Sequence, residues 1–180
     1  MTKIVLTFGL ISGVIVAALM WLMLWATKAG AINTDHGGYF WGYATMIVAL
    51  SLVFFGIKSY RDNNGGRVTF LKGVQVGILI TLICCFFYAI SWEAYYRTSG
   101  AAFMQDYAAH YVEQMKAQGA SDAAVAATEQ QMAQLTEMYQ NFFVRFGMTL
   151  MEILPVGVVV TLISAALLRK REVLPAGAPA

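Results

Sequence analysis

The chain is poor in charged residues and contains no recognisable reaction centre. Only 12% of its 180 residues are charged, and it has just two histidines and two cysteines. It has no phosphate-binding loop, no nucleophile and base at a recognised spacing, and no basic nucleic-acid-binding stripe. So few charged residues in a chain of this length leave little material for a separate soluble domain. The absence of these motifs argues against an enzyme without excluding one, and it predicts no cofactor and no nucleic-acid partner.

Long apolar runs are the strongest feature of the sequence, and they lie at residues 4–25, 39–57, 74–92 and 147–168. About 20 apolar residues, at 1.5 Å rise each, cover the roughly 30 Å hydrocarbon layer of a bilayer. The sequence therefore predicts an all-α fold, a bundle of four transmembrane helices, in a single integral membrane domain over residues 1–172. Residues 173–180 are predicted to be a disordered cytoplasmic tail. The adjacent Cys84 and Cys85 point in different directions on a helix, so we interpret them as packing residues.

Lysine and arginine are distributed unevenly between the loops, and this distribution predicts the orientation. Positive residues cluster before the first run, after the second and at the C-terminus, while the connector 93–141 is mainly acidic. The tryptophans agree, because all of them fall at the opposite ends of the runs, at Trp21, Trp25, Trp41 and Trp92. We therefore predict a multi-pass protein with both termini in the cytoplasm. The alternative for the first run is a cleaved signal peptide, but its length exceeds the usual apolar region of such peptides.

The connector between the third and fourth runs has the pattern of two amphipathic helices. Apolar residues recur every three or four positions on both sides of Gly119 and Ser121, which are typical helix stop and start residues. We expect an extracytoplasmic helical hairpin over about 102–141; the alternative is a pair of helices lying on the outer leaflet. Since no breaker precedes Met148, the second helix is expected to continue into the fourth span, where Pro155 would kink it.

Glu152 is the most unusual residue, because a carboxylate inside a span is costly. It would be hydrated, protonated, or paired with Arg145 on the same helix face. Glu93 and Arg97 end the third span at a similar depth, beside Trp92 and near His36 in the predicted fold. These residues form either a polar site for transport or binding or, as we favour, an interhelical clamp that fixes the register of the spans.

Two further patterns are weaker. Asp106, His110 and Glu113 share one helix face and could bind a divalent metal, but solvated polar residues belong on that face in any case. Small residues recur every four positions in the first and third spans and predict close helix packing, within one chain or between subunits, at Gly9, Gly13, Gly73 and Gly77.

The turn after the second run carries the string Phe55-Gly56-Ile57-Lys58-Ser59-Tyr60-Arg61-Asp62, followed by Gly65-Gly66, Phe70, Lys72-Gly73 and Gly77. This stretch resembles the bacterial membrane-protein family known as domain of unknown function 4199, and the resemblance extends to about Leu168. It implies a protein of the bacterial cytoplasmic (inner) membrane with four spans, and it implies no activity. The matching positions are Lys58, Tyr60, Arg61, Asp62 and Gly66. The alanine-rich connector and the tail lie outside the resemblance.

We therefore expect a non-enzymatic membrane protein, embedded in the lipid bilayer, that acts by association with itself or with other membrane proteins. The alternative is a small transporter or channel with a polar site around Glu152. A weaker alternative is a membrane enzyme with an external metal at the Asp106, His110 and Glu113 face.

Overall fold

The computed structural model describes residues 1–31 and 38–169, and this part of the chain is helical. The helices are α1 (Thr2–Lys28), α2 (Gly38–Asp62), α3 (Phe70–Tyr95), α4 (Ala101–Ala117), α5 (Asp122–Gln140) and α6 (Phe142–Leu168). A π-helical turn, Tyr96–Gly100, connects α3 to α4. The predicted all-α class is therefore confirmed. His36 and the tail 173–180 lie outside the described residues.

Helices long and apolar enough to cross a membrane lie at the four predicted apolar runs, which confirms four candidate spans. They are Thr2–Lys28, Phe40–Asp62, Phe70–Gly100 and Phe142–Leu168. Each is longer than its apolar run, because the helix continues past the run at one or both ends. A helix of 27 residues is about 40 Å long at 1.5 Å per residue, so its ends extend beyond a hydrocarbon layer of roughly 30 Å.

The chain forms two compact units. The first contains Met1–Ser91 and the chain from Leu150 onward, and the second contains Trp92–Thr149. The single membrane domain over residues 1–172, and the side of the membrane on which each end lies, stay predictions.

Glycines bring the helices of the first unit close together. A β-carbon added at Gly9 would lie 2.7 Å from Cδ1 of Ile83, and one added at Gly13 would lie 2.6 Å from Cγ of Phe87. The same holds between α3 and α6, where a β-carbon at Gly73 would lie 3.0 Å from that of Ala165. At these distances a larger residue would force the neighbouring side chain to shift, so each glycine permits a close contact between helices.

Buried hydroxyl groups add polar contacts between the same helices. The Ser12 hydroxyl in α1 donates to the carbonyl oxygen of Ala49 in α2 at 2.8 Å. The hydroxyl oxygens of Thr81 in α3 and Thr161 in α6 are 3.2 Å apart. Since these hydroxyls bond to protein, they do not face lipid as unpaired polar groups.

In the second unit, α4 and α5 contact each other across a short turn. Gly119 has a φ of 79°, a left-handed conformation that glycine adopts without strain. The Ser121 hydroxyl caps α5 by accepting from the backbone N–H of Ala124 at 3.3 Å. The helices meet where the Thr128 hydroxyl lies 3.2 Å from the sulfur of Met115. The stop and start signals of the sequence therefore lie at the turn.

The expectation that α5 continues into the fourth span is wrong. The helix ends at Gln140, and Asn141 has an extended conformation with a ψ of 122°. Its side-chain oxygen accepts from the backbone N–H of Phe143 at 2.9 Å and from that of Val144 at 3.4 Å. Asn141 thus acts as the N-cap of α6, because its side chain replaces the helical hydrogen bonds that these N–H groups lack. Within α6 the helix continues through Pro155.

Candidate functional site

The most highly organised polar centre of the second unit is a buried ion pair between Glu93 and Arg145. Glu93 lies near the end of α3 and is 7% exposed, and Arg145 lies in the first turn of α6 and is 5% exposed. Nε of Arg145 donates to one carboxylate oxygen at 2.7 Å, and Nη2 donates to the other at 2.6 Å. This two-point geometry is the strongest arrangement available to a guanidinium and a carboxylate.

The remaining nitrogen of Arg145 binds the end of α5. Nη1 donates to the carbonyl oxygen of Tyr139 at 2.7 Å and lies 3.4 Å from that of Gln140. The last carbonyls of a helix have no partner within the helix and carry partial negative charge, so a buried cation stabilises them. Arg145 therefore connects the ends of α3 and α5 to the start of α6.

An aromatic ring covers the guanidinium. Cζ of Arg145 lies 3.8 Å from the centre of the Tyr96 ring, a cation–π contact. The ring of Tyr139 is 5.7 Å from that of Tyr96, between centres. Tyr96 begins the π-helical turn, and its ring packs against Gly100 at the end of that turn, where a β-carbon would overlap it. The turn and Gly100 therefore position the ring that encloses the ion pair.

This geometry favours the clamp over a ligand site. Both oxygens of Glu93 and all three nitrogens of Arg145 have protein partners, so the two charges are already compensated within the protein. Of the residues grouped with them by sequence reasoning, Arg97 is exposed on the π-helical turn. Trp92 packs against Tyr95, with 5.5 Å between ring centres.

Sequence reasoning missed Tyr96 and Tyr139, because no local pattern marks an aromatic residue that will cover a distant arginine.

Glu152 lies in the first unit, on α6, ten residues after the helix start and so about 15 Å along the axis. Its side chain is exposed on the surface of the chain. Tyr88, which is buried on α3, has its side chain beside that of Glu152. The partner expected for Glu152 from sequence, Arg145, is bound to Glu93 instead.

The face of α4 that carries Asp106, His110 and Glu113 is exposed. Among the described residues, no group of three or more histidine, cysteine, aspartate or glutamate side chains is placed to hold a metal ion. These three residues are therefore not brought together as a ligand set.

Ion pairs between residues of the turn motif stabilise the turn between α2 and α3. Asp62 accepts from Nζ of Lys58 at 2.6 Å and from Nη2 of Arg61 at 3.2 Å. Arg61 is 1% exposed. The chain then reverses through Gly65 and Gly66, whose φ values of 68° and 74° favour glycine. The N–H of Gly66 donates to the carbonyl of Arg61 at 3.0 Å, which closes the turn.

A groove runs between α4 and α5, and sequence reasoning did not predict it. Its volume is about 850 Å³. Apolar side chains from both helices line it, at Ala108, Val112, Met132 and Ala133, and charged side chains flank them, at Glu113, Lys116, Glu129 and Glu137. The amphipathic periodicity of each helix predicts an apolar stripe. The two stripes are not completely buried against each other, and the residues left between them line the groove.

Four helices long and apolar enough to span a membrane are the mark of a membrane protein. Its sequence matches the family described as "Protein of unknown function (DUF4199)" over residues 7–170, and the chain belongs to that family. The resemblance found at the turn motif is thereby confirmed. No curated protein and no solved structure matches the chain.

Proposed function

We propose that the protein is a non-enzymatic membrane protein that acts by association, and that the groove between α4 and α5 receives a helix of another membrane protein or of a second copy. We further propose that it resides in the bacterial inner membrane with both termini in the cytoplasm. The α4–α5 pair would then lie on the outer side. The groove is the observation that carries this proposal.

The composition of the groove suits a helix. An amphipathic helix binds by placing its apolar face in a groove of this kind, with its polar residues at the edges. Val112 and Met132 on the floor are half-buried and could still lose exposed apolar surface on binding. A small-molecule site would instead enclose most of its ligand, whereas this groove is open along its length.

The charges at the edges specify the partner further. Lys116 is paired with Glu129, with 3.2 Å between Nζ and Oε1. Glu113 and Glu137 have no ion-pair partner in the part of the chain that the structure describes. The edges are therefore net acidic, which supports a partner helix with lysine or arginine beside its apolar stripe.

Glu152 adds independent support for association. A carboxylate on the exposed face of a span is costly against lipid. Contact with a polar group of another span would lower that cost. A transporter in which Glu152 binds a substrate stays an alternative, and flux measurements distinguish the two.

The proposal is tested with the full chain purified from native membranes in several mild detergents. We expect a complex heavier than the 19.7 kDa monomer with its detergent. Glu113→Lys should reduce its recovery by about tenfold, because it places a cation at the acidic edge. Asp106→Lys, on the same helix but outside the groove, is the matched control and should leave recovery unchanged. A strictly monomeric protein with no captured partner, or equal losses in both variants, would contradict the proposal.

A further inference from the structure

A basic cavity lies in the first unit where the α2–α3 turn meets the end of α6. Its volume is about 340 Å³, which is within the range of small-ligand sites. Its lining includes three cationic residues, Arg67 in the turn, Lys72 in the first turn of α3, and Arg169 directly after α6. The first two are 97 or more residues away from Arg169 in sequence, so only the fold brings these charges to one place.

The described part of the chain provides no acidic partner for these cations. Asp62 is the only carboxylate between Ile57 and Trp92, and Lys58 and Arg61 already bind it. Within residues 1–31 and 38–169, Arg67, Lys72 and Arg169 have no salt-bridge partner. Nζ of Lys72 has only a neutral contact, 3.0 Å from the side-chain oxygen of Gln75. A cavity lined by three unneutralised cations attracts an anion.

The other lining groups are hydrogen-bonding groups suited to anionic oxygen. The half-buried Tyr60 and the exposed Asn64 and Thr69 contribute a phenol, an amide and a hydroxyl group. Thr69 also caps α3, because its hydroxyl oxygen lies 3.3 Å from the backbone N–H of Lys72. The positive end of the 26-residue helix α3 therefore lies at the cavity and adds to the attraction for an anion.

We propose that this cavity binds a phosphate group, carried either by an anionic phospholipid headgroup or by a soluble phosphorylated compound. Arginine pairs with two phosphate oxygens at once, and lysine contributes a point charge. The cavity lies at the end of three predicted spans, which is the depth at which headgroups are found. In the predicted orientation it faces the cytoplasmic leaflet, where anionic lipids are enriched. The site is separate from the groove of the proposed function and does not depend on it.

The first test measures binding to the detergent-solubilised full chain. One arm titrates short-chain phosphatidylglycerol against phosphatidylcholine by native mass spectrometry. The other arm measures binding of labelled inorganic phosphate by equilibrium dialysis. Selective binding of phosphatidylglycerol alone would assign the site to a lipid headgroup, and binding of inorganic phosphate would assign it to soluble phosphorylated compounds. No selective binding of phosphatidylglycerol together with no binding of inorganic phosphate would overturn the proposal.

The second test compares two variants, each of which lacks three positive charges. The cavity variant carries Arg67→Gln, Lys72→Gln and Arg169→Gln. The control variant carries Lys3→Gln, Lys28→Gln and Arg97→Gln, which removes the same charge from exposed positions elsewhere. We expect the cavity variant to bind at least about tenfold more weakly and the control variant to bind within about twofold of the parent.

A milder variant keeps the test valid if the charge variant folds poorly. Tyr60→Phe with Thr69→Ala removes two hydroxyl groups without changing the charge, and it should weaken binding by about threefold to tenfold. Equal weakening in the cavity and control variants would show a general electrostatic attraction and refute the site. Undiminished binding in both the charge variant and the hydroxyl variant would refute it as well.

Discussion

Breaking the Glu93–Arg145 pair should destabilise the unit Trp92–Thr149 much more than breaking an exposed ion pair of the same unit. The two side chains are 7% and 5% exposed, and their two hydrogen bonds are 2.6 and 2.7 Å long. Removing one partner of such a pair leaves a buried charge without compensation, which costs about 3–5 kcal/mol. Arg145→Met should lie at the upper end of this range, because it also leaves the carbonyls of Tyr139 and Gln140 without their donor.

The structure contains a natural control for this prediction. Lys116 and Glu129 also form an ion pair, with 3.2 Å between Nζ and Oε1, but their side chains are 56% and 53% exposed. Glu129→Gln should therefore cost at most about 1 kcal/mol. The pair Glu93→Leu with Arg145→Met should destabilise the unit less than either single change, because an apolar pair has no charge to bury.

Amide hydrogen exchange of the detergent-solubilised protein provides the assay, because it reports the opening free energy of this unit separately from the rest of the chain. Because the double variant should cost less than either single change, a double-mutant cycle on Glu93 and Arg145 should give a coupling energy larger than the greater single cost, about 5 kcal/mol or more. Single substitutions that cost under about 1 kcal/mol and simply add would refute the view of this pair as a clamp.

Two further predictions concern the first unit. Gly13→Ala should lower the free energy of unfolding by about 1–3 kcal/mol, because its β-carbon would lie 2.6 Å from Cγ of Phe87; the control Gly42→Ala, with nothing within 4 Å, should be neutral or stabilise by up to about 1 kcal/mol. Equal effects in thermal unfolding would contradict the packing described for Gly13. Glu152→Gln should leave ion or solute flux into proteoliposomes unchanged, and loss of flux with an intact fold would favour the transporter alternative over association.

The spans were predictable because lipid imposes one simple requirement on sequence, a long apolar run. The end of α5 was not predicted, although Asn141 is a common N-cap residue. Its signal was hidden because the apolar periodicity runs through it without glycine or proline. A local pattern also cannot show whether Asn141 begins a new helix or lies inside one long helix.

The candidate sites were predictable only as sets of residue types. Sequence placed Glu93 and Arg145 in one polar group, but they are 52 positions apart, and Glu152 was an equally reasonable partner for the arginine. Likewise, the charge of Arg67 and Lys72 was evident as a loop property, whereas the cavity requires the end of α6 to bring Arg169 beside them. Such pairings depend on how helices pack, which the pattern within each helix does not specify.

The central claim, association through the α4–α5 groove, is tested most directly by photocrosslinking in cells. A photoreactive residue replaces Ala109 or Ala133 in the groove, or Tyr111 or Gln134 outside the groove on the same two helices. We predict that the groove positions capture one reproducible membrane protein or a second copy, that the outside positions do not, and that Glu113→Lys abolishes the capture. No capture from the groove, or equal capture from both sets of positions, would contradict the claim.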